Sequence, residues 1–166
     1  MIYYTTSVYK PRVPPLERYV SDSVQVSVNH IMKKKKTTTQ KKKNKLDKEC
    51  IALWKLACDK MWGNSCIMCG KTDQTTFHHY IPRSRSTLLK YDPINGVPIC
   101  NMRAHYKLHH NGTPDEVREI CDTIRRKRGK VWCKYIDEKK QMRQSSFYTI
   151  GWLEEQKQKL KEYLNE

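Results

Sequence analysis

Acidic side chains are scarce in this 166-residue chain, which has 17 Asp and Glu residues against 33 Lys and Arg residues and a formal net charge of +16. Each Lys or Arg that neutralises a phosphate releases a condensed counterion, so such an imbalance favours a polyanionic partner. Nucleic acid is the first candidate, and an anionic membrane surface is the second.

Long apolar runs are also lacking. No stretch approaches the roughly 20 apolar residues that cross a bilayer. The first six residues, MIYYTT, lack the basic-then-apolar layout of a signal peptide. We therefore expect a soluble intracellular protein. The length allows one domain, or a core with a tail, and argues against two full domains.

Cysteine, by contrast, is plentiful. An odd number, seven, together with the lack of an export signal argues against a disulfide framework. We expect reduced thiols, some of which hold a metal ion.

The chain divides into three parts, 1–32, 33–48 and 49–166. In the first, alternating valines between Val20 and Val28 favour one short strand, and no separate domain is indicated. The second contains nine lysines and almost no apolar residue, which is typical of a solvated segment. It is either a flexible linker or a DNA-binding arm, and its candidate phosphate contacts are Lys33, Lys34, Lys35, Lys36, Lys41, Lys42 and Lys43.

Several helices are expected in the third part. Apolar residues spaced three and four apart predict a helix over 46–61 that ends at Gly63. A loop and hairpin should follow over 66–100, then a helix over 101–110. Thr113 as N-cap, Pro114 at the first helical position and Glu116 as the partner in a capping box predict the next helix start. Further helices are expected over 131–142 and 151–164.

Two cysteines form a C-x-x-C-G knuckle, Cys66 to Gly70, whose tight turn lets both thiolates reach one Zn²⁺ ion. A thioredoxin-like redox pair would need a following helix in a βαβ setting, which this sequence does not supply. Cys100, 31 residues after Cys69, offers a third thiolate. These three cysteines predict a structural zinc site.

Five of the six histidines lie within 33 residues. His78 and His79 are adjacent, and His105 and His109 are four residues apart on the expected helix. These two pairs can converge on one divalent cation while leaving one imidazole free. Such an arrangement is typical of a metal site with its own general base.

The segment that carries these residues resembles the HNH nuclease motif. The resemblance rests on His78-His79 with Ile81-Pro82-Arg83, on Asn95-Gly96-Val97-Pro98-Ile99-Cys100, and on the later histidines. It covers about 45 residues, 66–110. The run over 83–100 is similar to phage recombination nucleases of the NinG (Rap) type. The resemblance implies an α+β fold, in which a small ββα-metal core with a zinc knuckle is surrounded by several helices.

The resemblance also implies residue roles. His79 would be the general base that takes a proton from water, because an imidazole with an ordinary pKa accepts a proton at neutral pH. Asn95 would orient His79 through a hydrogen bond to the backbone of His79. His78, His105 and His109 would hold one catalytic cation, which could be Mg²⁺, Mn²⁺, Ni²⁺ or Zn²⁺. Arg83 and Arg85 would bind neighbouring phosphates.

The sequence departs from the family pattern after Cys100, where Arg103 replaces the usual fourth zinc ligand. Two registers fit. In the first, His105 and His109 bind the catalytic cation, and the fourth zinc ligand comes from elsewhere. In the second, His105 completes the zinc site, and His110 becomes the catalytic ligand. We prefer the first register because it keeps the i, i+4 pair intact. Its candidates for the fourth zinc ligand are Cys50, Cys58, Cys121 and Cys133.

Two functions are consistent with these features. The first is a metal-dependent endonuclease that hydrolyses DNA, branched or double-stranded, in phage recombination or DNA processing. The second is a catalytically silent zinc-knuckle protein that binds nucleic acid as an accessory factor. RNA stays open as a substrate, because nothing in the sequence reads a base edge or a 2′-hydroxyl group.

Overall fold

A long first helix, α1, spans Thr38–Trp62 in the computed structural model, which describes residues 37–142 and 148–166. The Thr37 side chain caps the helix by accepting a hydrogen bond from the Gln40 N–H at 3.2 Å. The helix ends before Gly63, where φ is 68°.

The end of α1 confirms the sequence prediction, but its start lies earlier than predicted. Of the lysine-rich part 33–48, the portion from Thr38 onward is helical and is not a flexible linker. Two of its lysines have folded partners, which explains the difference. Lys42 pairs with Glu154 at 3.0 Å, and Lys43 lies over the Tyr148 ring at 4.3 Å. Residues 1–32, with their expected strand, and Lys33 to Lys36 lie outside the described residues.

Two short strands form the expected hairpin as an antiparallel ribbon. β1 is Thr75–His79 and β2 is Gly96–Cys100, with Thr75 opposite Cys100 and His79 opposite Gly96. Every residue of β2 is buried, whereas β1 is half-buried. The fold is therefore α+β, as predicted.

The chain continues from β2 directly into a short helical segment with two π-helical parts, Asn101–His105 and Lys107–Asn111, joined by Tyr106. We call this segment the histidine helix. It occupies the range predicted for a helix, but its hydrogen bonds are wider than those of an α-helix. The observed order is therefore strand, strand, helix.

The second long helix, α2, spans Pro114–Gln141 and opens with the predicted capping box between Thr113 and Glu116. Gly129, with φ 83° and ψ 174°, breaks it sharply, in agreement with the prediction of separate helices on either side. Arg125 and Asp137 bridge this break with two hydrogen bonds of 3.1 and 2.6 Å. The last helix, α3, spans Ile150–Asn165.

Buried side chains form two clusters. One lies between α1 and α3 and centres on Trp54, Cys58 and Leu153. The other joins β2 and α2 through residues such as Ile99 and Ile136. No helix in the described ranges is long and apolar enough to cross a membrane.

Gly96 lies where α1 passes closest to the start of β2. A Cβ atom at this position would lie 2.2 Å from Cys58 Sγ and 3.1 Å from the carbonyl oxygen of Pro93. Both neighbours are fixed by packing, so a larger side chain cannot fit without displacing the strand from the helix.

We expect Gly96→Ala to lower the free energy of unfolding by about 1–3 kcal/mol, the usual range for overpacking. Gly151→Ala is the matched control, because a Cβ atom there meets nothing within 4 Å. Alanine in that exposed helical position should leave stability unchanged or raise it by up to about 1 kcal/mol. Urea titration followed by circular dichroism measures both changes, and equal stability of the two variants would contradict the close packing at Gly96.

Candidate metal centres

Three histidines converge at one side of the ribbon. His78 comes from β1, and His105 and His109 come from the histidine helix. One ring nitrogen from each lies within 4.8 Å of the others. The closest pair, His78 Nδ1 and His109 Nε2, are 3.1 Å apart. Two ligands of a tetrahedral zinc ion with bonds of 2.0–2.1 Å stand about 3.3 Å apart, so this pair is already near chelating distance.

The environment of His78 keeps its ring neutral. Burial, together with the neighbouring His109, His105 and His79, lowers the pKa of His78 to about 3. Burial likewise lowers the pKa of His105. A neutral imidazole is the form that binds a metal ion, so His78 and His105, two members of this histidine triad, are in the state that a cation requires.

His79 points to different partners. Its ring stacks on the indole of Trp54, with the ring centres 3.8 Å apart and the planes 13° apart. Its Nε2 atom lies 2.8 Å from the carbonyl oxygen of Lys90. Because a carbonyl oxygen only accepts, Nε2 carries the proton in the neutral ring, and Nδ1 keeps its lone pair. The free lone pair is what a general base needs.

Burial, which is the largest effect, and the charges of Arg83, Lys90 and Lys55 lower the pKa of His79 to about 4, although the hydrogen bond to the Lys90 carbonyl raises it. His79 is therefore neutral at pH 7. These three cationic side chains line one open cleft of about 760 Å³. The same cleft is lined by four histidines, His78, His79, His105 and His109. Arg85 does not line this cleft.

Asn95 does not make the hydrogen bond predicted for it. Its fully buried side chain accepts from the Ile81 N–H at 2.8 Å and donates to the carbonyl oxygens of Ile81 and Leu89, both at 3.0 Å. No hydrogen bond from this side chain to the His79 backbone is present. Asn95 instead ties Ile81, near the start of the loop that follows β1, to Leu89 in its later part, and this loop presents the Lys90 carbonyl to His79.

The side chains around His79 form a network that the sequence did not reveal. Asp47 on α1 accepts hydrogen bonds from Lys90 Nζ at 2.6 Å, from Tyr148 at 2.8 Å and from Tyr91. Trp54, which the helical spacing indicated only as a core residue, is the stacking partner of His79. The one sequence feature that could have indicated this network is the helical period of α1, which places both Asp47 and Trp54 on the side of the helix that faces the cleft.

The cysteine group is the second candidate centre. The Sγ atoms of Cys66, Cys69 and Cys100 all lie within 4.8 Å of one another. The knuckle turn is closed by a 2.7 Å hydrogen bond from the Gly70 N–H to the Cys66 carbonyl, and Gly70 has a φ of 75°. A backbone N–H from Lys71 lowers the pKa of the exposed Cys69 thiol. Three thiols in this arrangement can hold a metal ion such as zinc.

The structure groups His105 with the histidines and not with the cysteines, as the first register requires. His110 lies outside the triad, and its ring tilts against Tyr106. Among the described residues, no fourth His, Cys, Asp or Glu joins the cysteine group. The four other cysteines have different surroundings: Cys50 and Cys58 are in the cluster between α1 and α3, and Cys121 and Cys133 are on α2.

No family model, curated protein or solved structure matches the chain. The two centres are therefore interpreted from their own geometry.

We expect the two centres to bind metal separately. His109→Ala removes one of three imidazoles from the histidine triad, so the metal held there should be lost while the zinc at the cysteines stays. Cys69→Ser should abolish the cysteine-bound zinc, because two thiols are left. Elemental analysis of the purified proteins by mass spectrometry measures both, and loss of the cysteine-bound zinc from His109→Ala would contradict the separation.

Proposed function

We propose that the protein is a metal-dependent endonuclease of the HNH type that hydrolyses phosphodiester bonds of DNA. The observation that carries the proposal is the cleft, where three histidines converge and a fourth, His79, stands beside them as a neutral ring with a free Nδ1. The strand, strand, helix order of β1, β2 and the histidine helix supports a ββα-metal core. The role in phage recombination or DNA processing is proposed from the sequence resemblance alone.

The ligand chemistry narrows the choice of cation. Imidazole nitrogen suits Zn²⁺ and Ni²⁺, whereas Mg²⁺ prefers oxygen ligands. The group contains three imidazoles and, among the residues that the structure describes, no carboxylate. We therefore propose Zn²⁺ or Ni²⁺ for the histidine centre and a structural Zn²⁺ for the cysteines. When bound in the cleft, the cation supplies a Lewis acid that polarises the phosphoryl oxygen.

The residues of the chain carry the other steps. His78, His105 and His109 hold the cation. His79 Nδ1 accepts a proton from the attacking water, while the Nε2 hydrogen bond to Lys90 and the Trp54 stack fix the ring. Arg83 and Lys55 line the same cleft and offer cationic contacts for the phosphates beside the scissile bond.

The second candidate, a silent accessory protein, would bind nucleic acid through the same basic surface. It has no need for a neutral histidine in a fixed tautomer next to a metal triad. Such a protein would bind DNA but would not cleave it in the presence of any divalent cation.

We expect His79→Ala to reduce the rate of plasmid cleavage by about 10²–10⁴-fold, the usual contribution of a general base. DNA binding and metal content should stay at the wild-type level, which also shows that the variant folds. The matched control is His110→Ala, which removes an exposed histidine outside the triad and should cleave at the wild-type rate. Cleavage is measured with Zn²⁺, Ni²⁺, Mn²⁺ and Mg²⁺ and with EDTA.

Equal cleavage by wild type and His79→Ala would contradict the proposed base. Binding without cleavage by the wild type in every cation would favour the accessory protein. Loss of cleavage in His110→Ala would support the second register.

A further inference from the structure

Three of the seven lysines of α1 share one flank of the helix. Lys41, Lys48 and Lys55 follow one another at seven-residue steps, and all three are exposed. Seven residues are nearly two turns, so the three side chains lie along one flank, about 10.5 Å apart. We call them the lysine row.

Two other lysines of α1 are engaged within the protein. Lys42 pairs with Glu154 at 3.0 Å, and Lys60 Nζ donates to the Tyr163 carbonyl oxygen at 2.8 Å. Within the ranges that the structure describes, no member of the lysine row takes part in an ion pair or a side-chain hydrogen bond. The three ammonium groups of the row are therefore available to bind a partner molecule.

The row ends at the open cleft that contains the histidine triad, which we call the histidine cleft. Lys55 is one of the cleft-lining residues, together with Ile51 and Trp54 from the same helix, and Arg83 lines the cleft as well. Lys48 and Lys41 continue the line of charge away from the cleft toward the start of α1.

We propose that the lysine row is a binding track for one strand of duplex DNA, which leads the strand into the histidine cleft. The choice of DNA and the direction of the strand rest on the proposed nuclease function. The row itself rests on spacing, exposure and its position on α1.

A rigid row of cations favours binding of a rigid polyanion. The helix holds three cations in line over about 21 Å, which corresponds to about six phosphates of one duplex strand at 3.4 Å of axis each. A duplex presents its phosphates at regular intervals, so it can meet all three cations without first paying the ordering entropy of a flexible single strand.

The test compares two variants of equal charge. Lys48→Gln with Lys55→Gln removes two members of the row. Lys42→Gln with Lys159→Gln removes two lysines that pair with Glu154 and Glu155. Binding of a labelled DNA duplex is measured by fluorescence anisotropy in EDTA over a range of salt concentrations, so that no cleavage interferes. The row variant should flatten the plot of log K against log salt by about 1.8, or about 0.9 for each lost phosphate contact, and the control variant should keep the wild-type slope.

A footprint on the wild-type protein supplies a second measurement that does not depend on a variant. Acetylation of lysines followed by mass spectrometry should show that duplex DNA protects Lys41, Lys48 and Lys55 and leaves the reactivity of Lys42 and Lys60 unchanged.

Equal slopes for the two variants, or a footprint without protection of the row, would overturn the track. Tighter row-dependent binding of single-stranded DNA or of RNA would overturn the choice of duplex DNA. If the row binds duplex as expected but wild-type protein cleaves no DNA with any cation, the nuclease proposal fails and the track stands.

Discussion

The segment 92–94, just before β2, is the point on which the rest of the fold depends. Three successive carbonyl oxygens in it each accept a hydrogen bond from a tryptophan indole, two on α1 and one on α2: Trp54 to Asp92 at 2.9 Å, Trp62 to Pro93 at 2.9 Å, and Trp132 to Ile94 at 2.8 Å. A partly buried indole N–H needs a hydrogen-bond acceptor, so these carbonyl oxygens bring both long helices to the turn. Three of the four tryptophans of the chain thus serve one turn.

The site depends on this turn through Asn95. The turn places the Asn95 amide in the interior, where its three hydrogen bonds to Ile81 and Leu89 bring together the start and the later part of the loop between the strands. The Lys90 carbonyl, next to Leu89, then reaches His79. Trp54 connects the turn to the site. Its indole N–H donates to the Asp92 carbonyl oxygen in the turn, and the face of its ring stacks on the His79 ring. The tautomer of His79 is therefore a consequence of how the helices meet the turn.

The sequence was informative where short-range patterns decide the structure. Spacing within a few residues predicts the Thr113 capping box, the end of α1 at Gly63, the Cys66–Cys69 knuckle and the His105–His109 pair. It was uninformative where distant groups meet. The Asn95 hydrogen bonds and the Asp47 network join residues 6 to 101 positions apart, and no periodicity records such pairs. The helical state of 38–45 was missed because composition favours solvation, whereas partners on α3 and near its start, at Glu154 and Tyr148, stabilise the helix.

The two candidate centres share one stretch of backbone. Cys100 is the last residue of β2 and a member of the cysteine group, and the histidine helix begins at the next residue, Asn101. Two of the three histidine ligands are therefore on a short helix whose first residue follows a cysteine ligand, while His78 is fixed separately by strand pairing with Val97. A metal bound by the cysteines would hold the origin of the histidine helix in place, since π-helical turns are seldom stable alone. A metal bound by the cysteines would thus act on the cleft through the position of the histidine helix, although the two groups bind metal separately.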